Sequence, residues 1–163
     1  MIEEILVGTT ASLLVGLIGW RTRRLHALQE QLEFVRQFAD ARRALEDDPT
    51  VPEAVKKFLR FSARIIDSPK TAQYVFSTEP PTPSARRAPV LQAIRAMTPL
   101  QQERFRAATR CLLMALSYYD GKSGAKLRAA LSGARSEKAI RVEMAKIVTL
   151  EPLDAPGLLG IPA

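Results

Sequence analysis

The sequence is poor in the residue types that build catalytic and metal centres. It contains one histidine, His26, and one cysteine, Cys111. Zinc sites draw mainly on His and Cys, and nucleophilic catalysis by Ser or Cys usually needs a histidine beside the nucleophile. We therefore expect a non-enzymatic protein with no cofactor, no metal and no small-molecule substrate. Cys111 lies in an apolar stretch and is expected to be a buried, unreactive thiol.

The lone cysteine also excludes an internal disulfide, so nothing indicates an oxidising compartment. Aromatic residues make up only 6% of the chain, and the runs of β-branched and aromatic residues that strands need are missing. We predict an all-α protein: a single N-terminal transmembrane helix followed by a small multi-helix cytoplasmic bundle. The predicted units are an anchor with its basic flank (1–24), a helical body (25–149) and an apolar, irregular tail (150–163).

The only long uncharged run lies near the N-terminus. Residues 5–20 form sixteen consecutive positions without a charge, which as a helix would span about 24 Å, slightly less than a hydrocarbon core of about 30 Å. A cleaved signal peptide is less favoured because the chain starts with Glu3 and Glu4 and the run leads directly into arginines. A buried core helix is the other alternative, since the run is short and contains Ser12 and two threonines.

The residues that follow the run predict its orientation. Trp20 stands at the boundary, where an indole favours the membrane interface, and Arg21, Arg23 and Arg24 come next. Basic residues stay on the cytoplasmic side. We therefore expect a single-pass protein of the cell (inner) membrane with its N-terminus outside and its body cytoplasmic.

Small residues recur within the predicted span. Gly8, Ser12 and Gly16 are four residues apart, so they share one helix face. Small residues at this spacing let a second helix approach closely in lipid. We predict helix packing through this face, either by self-association or by docking on an integral membrane protein.

The next segment has two apolar patterns. Leu25, Leu28, Leu32 and Val35 form one set, and the range 34–45 contains another, made of Phe34, Phe38, Ala41 and Leu45. We expect both sets to pack against the body, and a coiled-coil stalk is the alternative for the first. This helix could continue from the span as one rod.

Start and stop signals divide the remaining body into helices. Thr50 and Glu53 match a capping box for a helix over 51–67, and Thr98 with Pro99 predicts the start of a helix that reaches residue 119. Shorter helices are predicted over 69–76, 90–97, 122–131 and 137–149. The proline-rich residues 77–89 are predicted to form a loop, and the tail is expected to cover a groove on the body or bind a partner.

The body is basic. Residues 1–20 contain none of the 24 Lys and Arg residues and two of the 17 Asp and Glu residues. Residues 21–163 therefore have a formal net charge of +9, from 24 basic and 15 acidic side chains. Its basic pairs, such as Arg42/Arg43 and Lys56/Lys57, are scattered rather than gathered on one element. Our leading hypothesis is a membrane accessory protein that docks on or assembles a complex through its span and its basic body. The alternative is a membrane-tethered nucleic-acid-binding module.

Overall fold

The structure, a computed structural model, describes the backbone of residues 2–77 and 88–132, together with residues 140, 142, 143, 146 and 147. Side chains at the start of the chain are described from residue 13 onward. All regular structure in these ranges is helical, which confirms the all-α class. The helices are α1 (Ile2–Glu46), α2 (Glu53–Ile65), α3 (Pro69–Ser77), α4 (Ala88–Ala96), α5 (Pro99–Ser117) and α6 (Lys122–Ser132).

Helix α1 runs unbroken for 45 residues, which corresponds to a rod of about 68 Å. Its C-terminal half packs along α5, the most extensive contact between two helices, and α6 covers another side of α5. Gln31, Phe38 and Leu45 are buried on the α1 side of this contact. The remainder of the body therefore holds only the second half of the rod.

The core lies between α5 and the helices that surround it. Phe58 of α2 and Phe105 of α5 are fully buried, and their ring centroids are 5.8 Å apart. The predicted core positions of 51–67 are all buried, which confirms the helical spacing read there. They are Val51, Val55, Phe58, Leu59, Ser62, Ile65 and Ile66.

The expected packing of Leu25, Leu28 and Leu32 against the body is wrong. All three side chains are exposed. The reason is the direction of α1: its body-facing side passes through Gln31, Phe34 and Phe38, about 120° around the helix from the three leucines. Of the first apolar set, only Val35 packs against the core.

The capping box predicted from Thr50 and Glu53 is also wrong. Helix α2 begins after Pro52, without a side-chain cap, because the Thr50 hydroxyl instead donates to Asp48 Oδ1 over 2.6 Å. The predicted start of α5 is confirmed, since Thr98 and Gln101 form a complete capping box there.

Gln101 joins this cap to the turn that follows α1. Its Nε2 donates to Asp48 Oδ2 over 2.8 Å and to Thr50 Oγ1 over 2.7 Å. One buried side chain therefore connects the start of α5 with a turn more than fifty residues earlier in the chain. This link holds the end of α1 in place against α5.

Some predicted boundaries fall on residues outside the described ranges. Of the proline-rich loop, residue 77 ends α3 and residues 88 and 89 begin α4, whereas 78–87 lie outside. The described residues of the predicted 137–149 helix are helical. The tail, 150–163, lies outside.

The link around Asp48 predicts a pH dependence. The Thr50 hydroxyl and then the Gln101 amide lower the pKa of Asp48 to about 2, against about 3.9 in an unfolded chain. The ionised form thus favours folding, and this stabilisation is present above about pH 4 and lost as the pH falls to about 2. We expect Asp48→Asn to flatten the fall in unfolding free energy over that range, measured by urea denaturation.

The control for this experiment is Asp47→Asn, because Asp47 is the exposed neighbouring carboxylate. It should keep the acid dependence of the unmodified chain. An Asp48→Asn variant whose stability falls as steeply with acid as that of the control would contradict the assignment.

A second prediction concerns the close contact between α5 and α6. A Cβ atom at Gly124 would overlap the Ser117 carbonyl oxygen and lie 2.8 Å from its carbon, so α6 can approach α5 only with glycine there. We expect Gly124→Ala to lower the free energy of unfolding by about 2 kcal/mol. The matched variant Gly121→Ala should change it little, because a Cβ there meets no atom within 4 Å. Equal stability of the two variants would be inconsistent with this contact.

Candidate functional site

Residues 13–20 of α1 expose a broad apolar surface. Between residues 13 and 20, six large apolar side chains are 56% to 73% exposed. They are Leu13, Leu14, Val15, Leu17, Ile18 and Trp20. Successive residues are about 100° apart on a helix, so these six side chains lie around roughly 220° of the circumference. Gly16 and Gly19 occupy the rest, so no side of this segment carries a polar side chain. Helices of soluble proteins usually present one apolar stripe, and a helix that is apolar all round is normally buried in protein or lipid.

The predicted small-residue face lies on the same half of the helix. Because α1 is continuous, positions 8, 12 and 16 fall on one side of it. At Gly16 and Gly19 an added Cβ would meet no atom within 4 Å, so nothing in the described structure packs there. The side-chain surroundings of Gly8 and Ser12 lie outside the described part, and the role predicted for these residues stays a prediction.

A basic band follows the apolar segment within one turn. Arg21, Arg23 and Arg24 are all exposed, and the Arg24 guanidinium lies 5.4 Å from the Trp20 ring centroid. Cation–π contact of this kind holds an arginine beside the indole. The boundary between the apolar and charged parts of α1 is therefore sharp, and it lies where the sequence predicts it.

A junction of polar and aromatic contacts fixes α1 where it meets the body. The Gln31 side chain is buried and its Nε2 donates to the Ala115 carbonyl over 3.3 Å. One turn away, the Tyr118 hydroxyl donates to Glu30 Oε2 over 2.6 Å, and the Tyr118 and Phe34 ring centroids are 6.4 Å apart. These contacts set the direction in which the exposed half leaves the body.

Helix α6 supports this junction from the far side. The Arg128 guanidinium lies 4.5 Å from the Tyr118 ring centroid and donates to the Ser117 carbonyl over 2.7 Å. Burial and then the hydrogen bond to Glu30 raise the pKa of Tyr118 to about 12. The phenol thus stays protonated at neutral pH and acts as a hydrogen-bond donor. It positions the helix and provides no general base.

Two of the surface cavities bordered by described residues lie beside α5. One, of about 440 Å³, lies beside the Tyr118 junction and is bordered by Glu30, Glu33 and Arg128. The other, of about 360 Å³, lies between α4 and α5, is lined by Leu91, Ile94 and Phe105 among others, and has Arg95 and Arg106 in its wall. Neither cavity gathers the residues of a known catalytic arrangement.

The remaining residues that could carry chemistry are apart from each other. His26 is exposed. Cys111 is only partly buried, not fully buried as expected, and its Sγ lies 3.6 Å from Gln37 Oε1. Burial raises the pKa of this thiol, which lowers its reactivity. Across the described residues there is no cluster of three or more metal-binding side chains.

Several basic side chains of the body are engaged with Glu46 at the end of α1, two of them from α2 and one from α1 itself. Lys56 Nζ donates to the Glu46 carbonyl over 2.7 Å, and Arg42 Nε and Arg60 Nε lie 3.7 Å and 3.5 Å from the Glu46 carboxylate. Arg60 also pairs with Glu53 over 3.0 Å. These cations stabilise the end of α1, so they are less available to an external polyanion.

No family model, curated protein or solved structure matches this chain. Over the residues described in the structure, no helix combines the length and the apolar character needed to cross a membrane. The transmembrane helix expected within 1–24 therefore has no support from those residues and stays a prediction.

Sequence reasoning did not anticipate the Glu30, Gln31 and Tyr118 junction. The paired residues are 84 and 88 positions apart in the chain, so no local pattern could show them. The one available signal was Gln31, a polar residue on the apolar face that continues through Phe34 and Phe38. A buried amide on such a face requires a partner from another element.

The junction yields a third prediction. Tyr118→Phe removes the hydrogen bond to Glu30, and we expect the free energy of unfolding at neutral pH to fall by about 1 kcal/mol because the pair is partly exposed. Since the pKa of the folded state lies above the ordinary value of about 10, this stabilisation holds below pH 10 and is lost as the pH rises to about 12.

Ultraviolet titration of the full chain tests the assignment, because tyrosinate absorbs where tyrosine does not. The Tyr118→Phe variant should lack the ionisation near pH 12, and Tyr119→Phe, which changes the neighbouring ring, should retain it. Persistence of that ionisation in the Tyr118→Phe variant would refute the role of this phenol.

Proposed function

We propose that this chain is a non-enzymatic accessory protein of the cell membrane. In this proposal the first half of α1 crosses the bilayer once, with the N-terminus outside, and the basic helical body lies on the cytoplasmic side. There the protein docks on or assembles a membrane complex. The observation that carries the proposal is the exposure of six large apolar side chains of α1 between residues 13 and 20, in a segment without any polar side chain.

The energetic argument concerns where this surface can be buried. Burying one large apolar side chain is worth about 1.5 to 3 kcal/mol, so the six exposed side chains leave on the order of 10 kcal/mol unrealised. No described helix of the body reaches this half of α1. Lipid, or the helices of a membrane protein, would cover it on every side.

The sequence extends the apolar segment beyond the described side chains. The uncharged run starts at Ile5, and the backbone is already helical there. The run is slightly shorter than a hydrocarbon core of about 30 Å, and local thinning or extension of Arg21 towards the headgroups can close this difference.

The charged band supports the proposed orientation. Arg21, Arg23 and Arg24 are exposed, and in the described part of the chain none of them forms an ion pair. They are thus available to the anionic headgroups of the cytoplasmic leaflet. With Trp20 beside them, they mark the interface at which the rod leaves the membrane.

The contacts within the body favour a protein or lipid partner over nucleic acid. Nucleic-acid binding by the basic pairs would require them to point outward from one face. Arg42 and Lys56 instead contact Glu46 at the end of α1. We therefore place the body's role in contacts with the acidic surface of a membrane complex or leaflet.

Cell fractionation tests the membrane anchor directly. The full chain should sediment with membranes, resist extraction by high salt and dissolve in mild detergent, because burial of apolar surface is insensitive to ionic strength. Leu13→Arg combined with Leu17→Arg should move it to the supernatant, since each arginine in a span costs about 2.5 to 3.5 kcal/mol.

The matched control places the same two charges beyond the basic band, as His26→Arg with Gln29→Arg, and should stay with the membranes. All four positions are exposed, so the fold of the body is preserved in both variants. Full release of the unmodified chain by salt alone would point to electrostatic attachment and overturn the anchor.

A further inference from the structure

A heptad pattern runs along the exposed side of α1. Apolar residues occur at alternating steps of four and three, interrupted once by an arginine. The positions are Val7, Ala11, Leu14, Ile18, Arg21, Leu25, Leu28, Leu32 and Val35. The large apolar side chains Leu14, Ile18, Leu25, Leu28 and Leu32 are 47% to 63% exposed. We call the nine positions the heptad seam.

The body leaves this seam accessible. Helix α1 contacts the body through Gln31, Phe34 and Phe38, whereas the seam at Leu28 and Leu32 lies about 120° away around the helix. The seam thus continues past the junction with the body, and its large apolar side chains from Leu14 to Leu32 stay exposed. Only Val35, at its end, packs against the core.

We infer that the heptad seam is the contact surface for a second copy of this chain, in a parallel two-helix coiled coil. An average spacing of 3.5 residues keeps apolar positions facing a partner helix that has the same repeat. A copy of α1 has that repeat over the same length. Leucine predominates in the cytoplasmic part of the seam, as in coiled-coil contacts.

The surface available reaches the lower limit for a specific contact when the five side chains lose all of their exposed area. If each of the five exposed apolar side chains loses about 100 Å² of apolar surface, two copies together bury about 1,000 Å², the lower limit for a specific interface. The apolar run within the predicted span and the leucines beyond it belong to one continuous rod, so both parts contribute to the same contact.

The parallel arrangement rests on the proposed membrane anchor, since two copies inserted in the same orientation have parallel helices. In this arrangement the positions beside the seam bring Arg24 of one copy near Gln29 of the second copy, so these flanking pairs create no like-charge contact. Arg21 is the exception, because it lies opposite Arg21 of the second copy. Arg21 lies at the predicted membrane–water interface, where a long side chain reaches headgroups and water. Only the in-register pairing places Arg21 at this membrane–water interface in both chains.

The heptad seam is separate from the small-residue face. Gly8, Ser12 and Gly16 lie roughly 150° around the helix from the seam. A dimer formed through the seam would therefore leave the small-residue face open to another membrane helix. Self-association and docking on a complex would use different sides of one rod.

Cysteine cross-linking in native membranes tests the dimer. In the full chain with Cys111→Ser, a single cysteine is introduced as Leu25→Cys, Leu28→Cys or Leu32→Cys, and the control is His26→Cys, which is exposed and about 120° away from the seam. After mild oxidation we expect at least tenfold more disulfide-linked dimer for each seam variant than for the control. Equal yields from the seam and the control would overturn the proposal.

The pattern of cross-links also tests orientation. A parallel, in-register pair links all three seam positions, whereas an antiparallel pair brings at most one of them next to itself. Cross-linking at one position alone would overturn the parallel arrangement. Adding Leu28→Glu to the Leu32→Cys chain should abolish its cross-link, and an undiminished cross-link would contradict a continuous seam.

Fractionating the same samples separates this proposal from the membrane anchor. If seam cross-links are found only in the supernatant, the proposed dimer is supported and the proposed membrane anchor is refuted. If the chain is bound to membranes but the seam variants form no more dimer than His26→Cys, the proposed anchor is supported and the proposed dimer is refuted. Thermal unfolding of the body, followed by circular dichroism in detergent that separates the copies, should match that of the Cys111→Ser chain, because the substituted side chains are not covered by the body.

Discussion

The packing of the second half of α1 along α5 is the contact on which the rest of the structure depends. Among the described helices, α5 has the largest number of buried side chains, and α1, α3 and α6 all contact it. Its start is linked through Gln101 to the turn after α1, and its end is linked through Tyr118 to Glu30. Because α1 is held at both ends of its contact with α5, the direction in which its first half leaves the body is fixed.

The first half of α1 differs from the second half in its side-chain pattern and in its contacts. The rod does not change its secondary structure at the junction, but its side-chain pattern changes from a segment without polar side chains to one that is apolar on one side. Beyond Gln31 the apolar face is buried by the body, and before residue 20 no described part of the chain covers the apolar surface. The second half of α1 is thus covered by the body, whereas the apolar side chains of residues 13–20 are covered by no described residue.

Local patterns in the sequence were sufficient for much of the fold and insufficient for its connections. The spacing of apolar residues from Val51 to Ile66 predicted a buried face correctly, and Thr98 with Pro99 marked the start of α5. Thr50 matched a capping pattern equally well, yet its hydroxyl pairs with Asp48, because Gln101 completes a network there from a distant part of the chain. A pattern of four residues cannot indicate which of two local partners a tertiary contact will favour.

The same limit explains the leucines at 25, 28 and 32. Their spacing is that of a contact face, and the error lay in assigning that face to the body. The face that the body uses is marked by Gln31 and the aromatic residues after it, and a buried amide is informative only once its partner, the Ala115 carbonyl, is known. An apolar face that keeps a seven-residue repeat and stays exposed next to a well-packed core is suited to a partner helix with a matching repeat, as in the dimer that we propose. The chain offers such a partner in a second copy of itself.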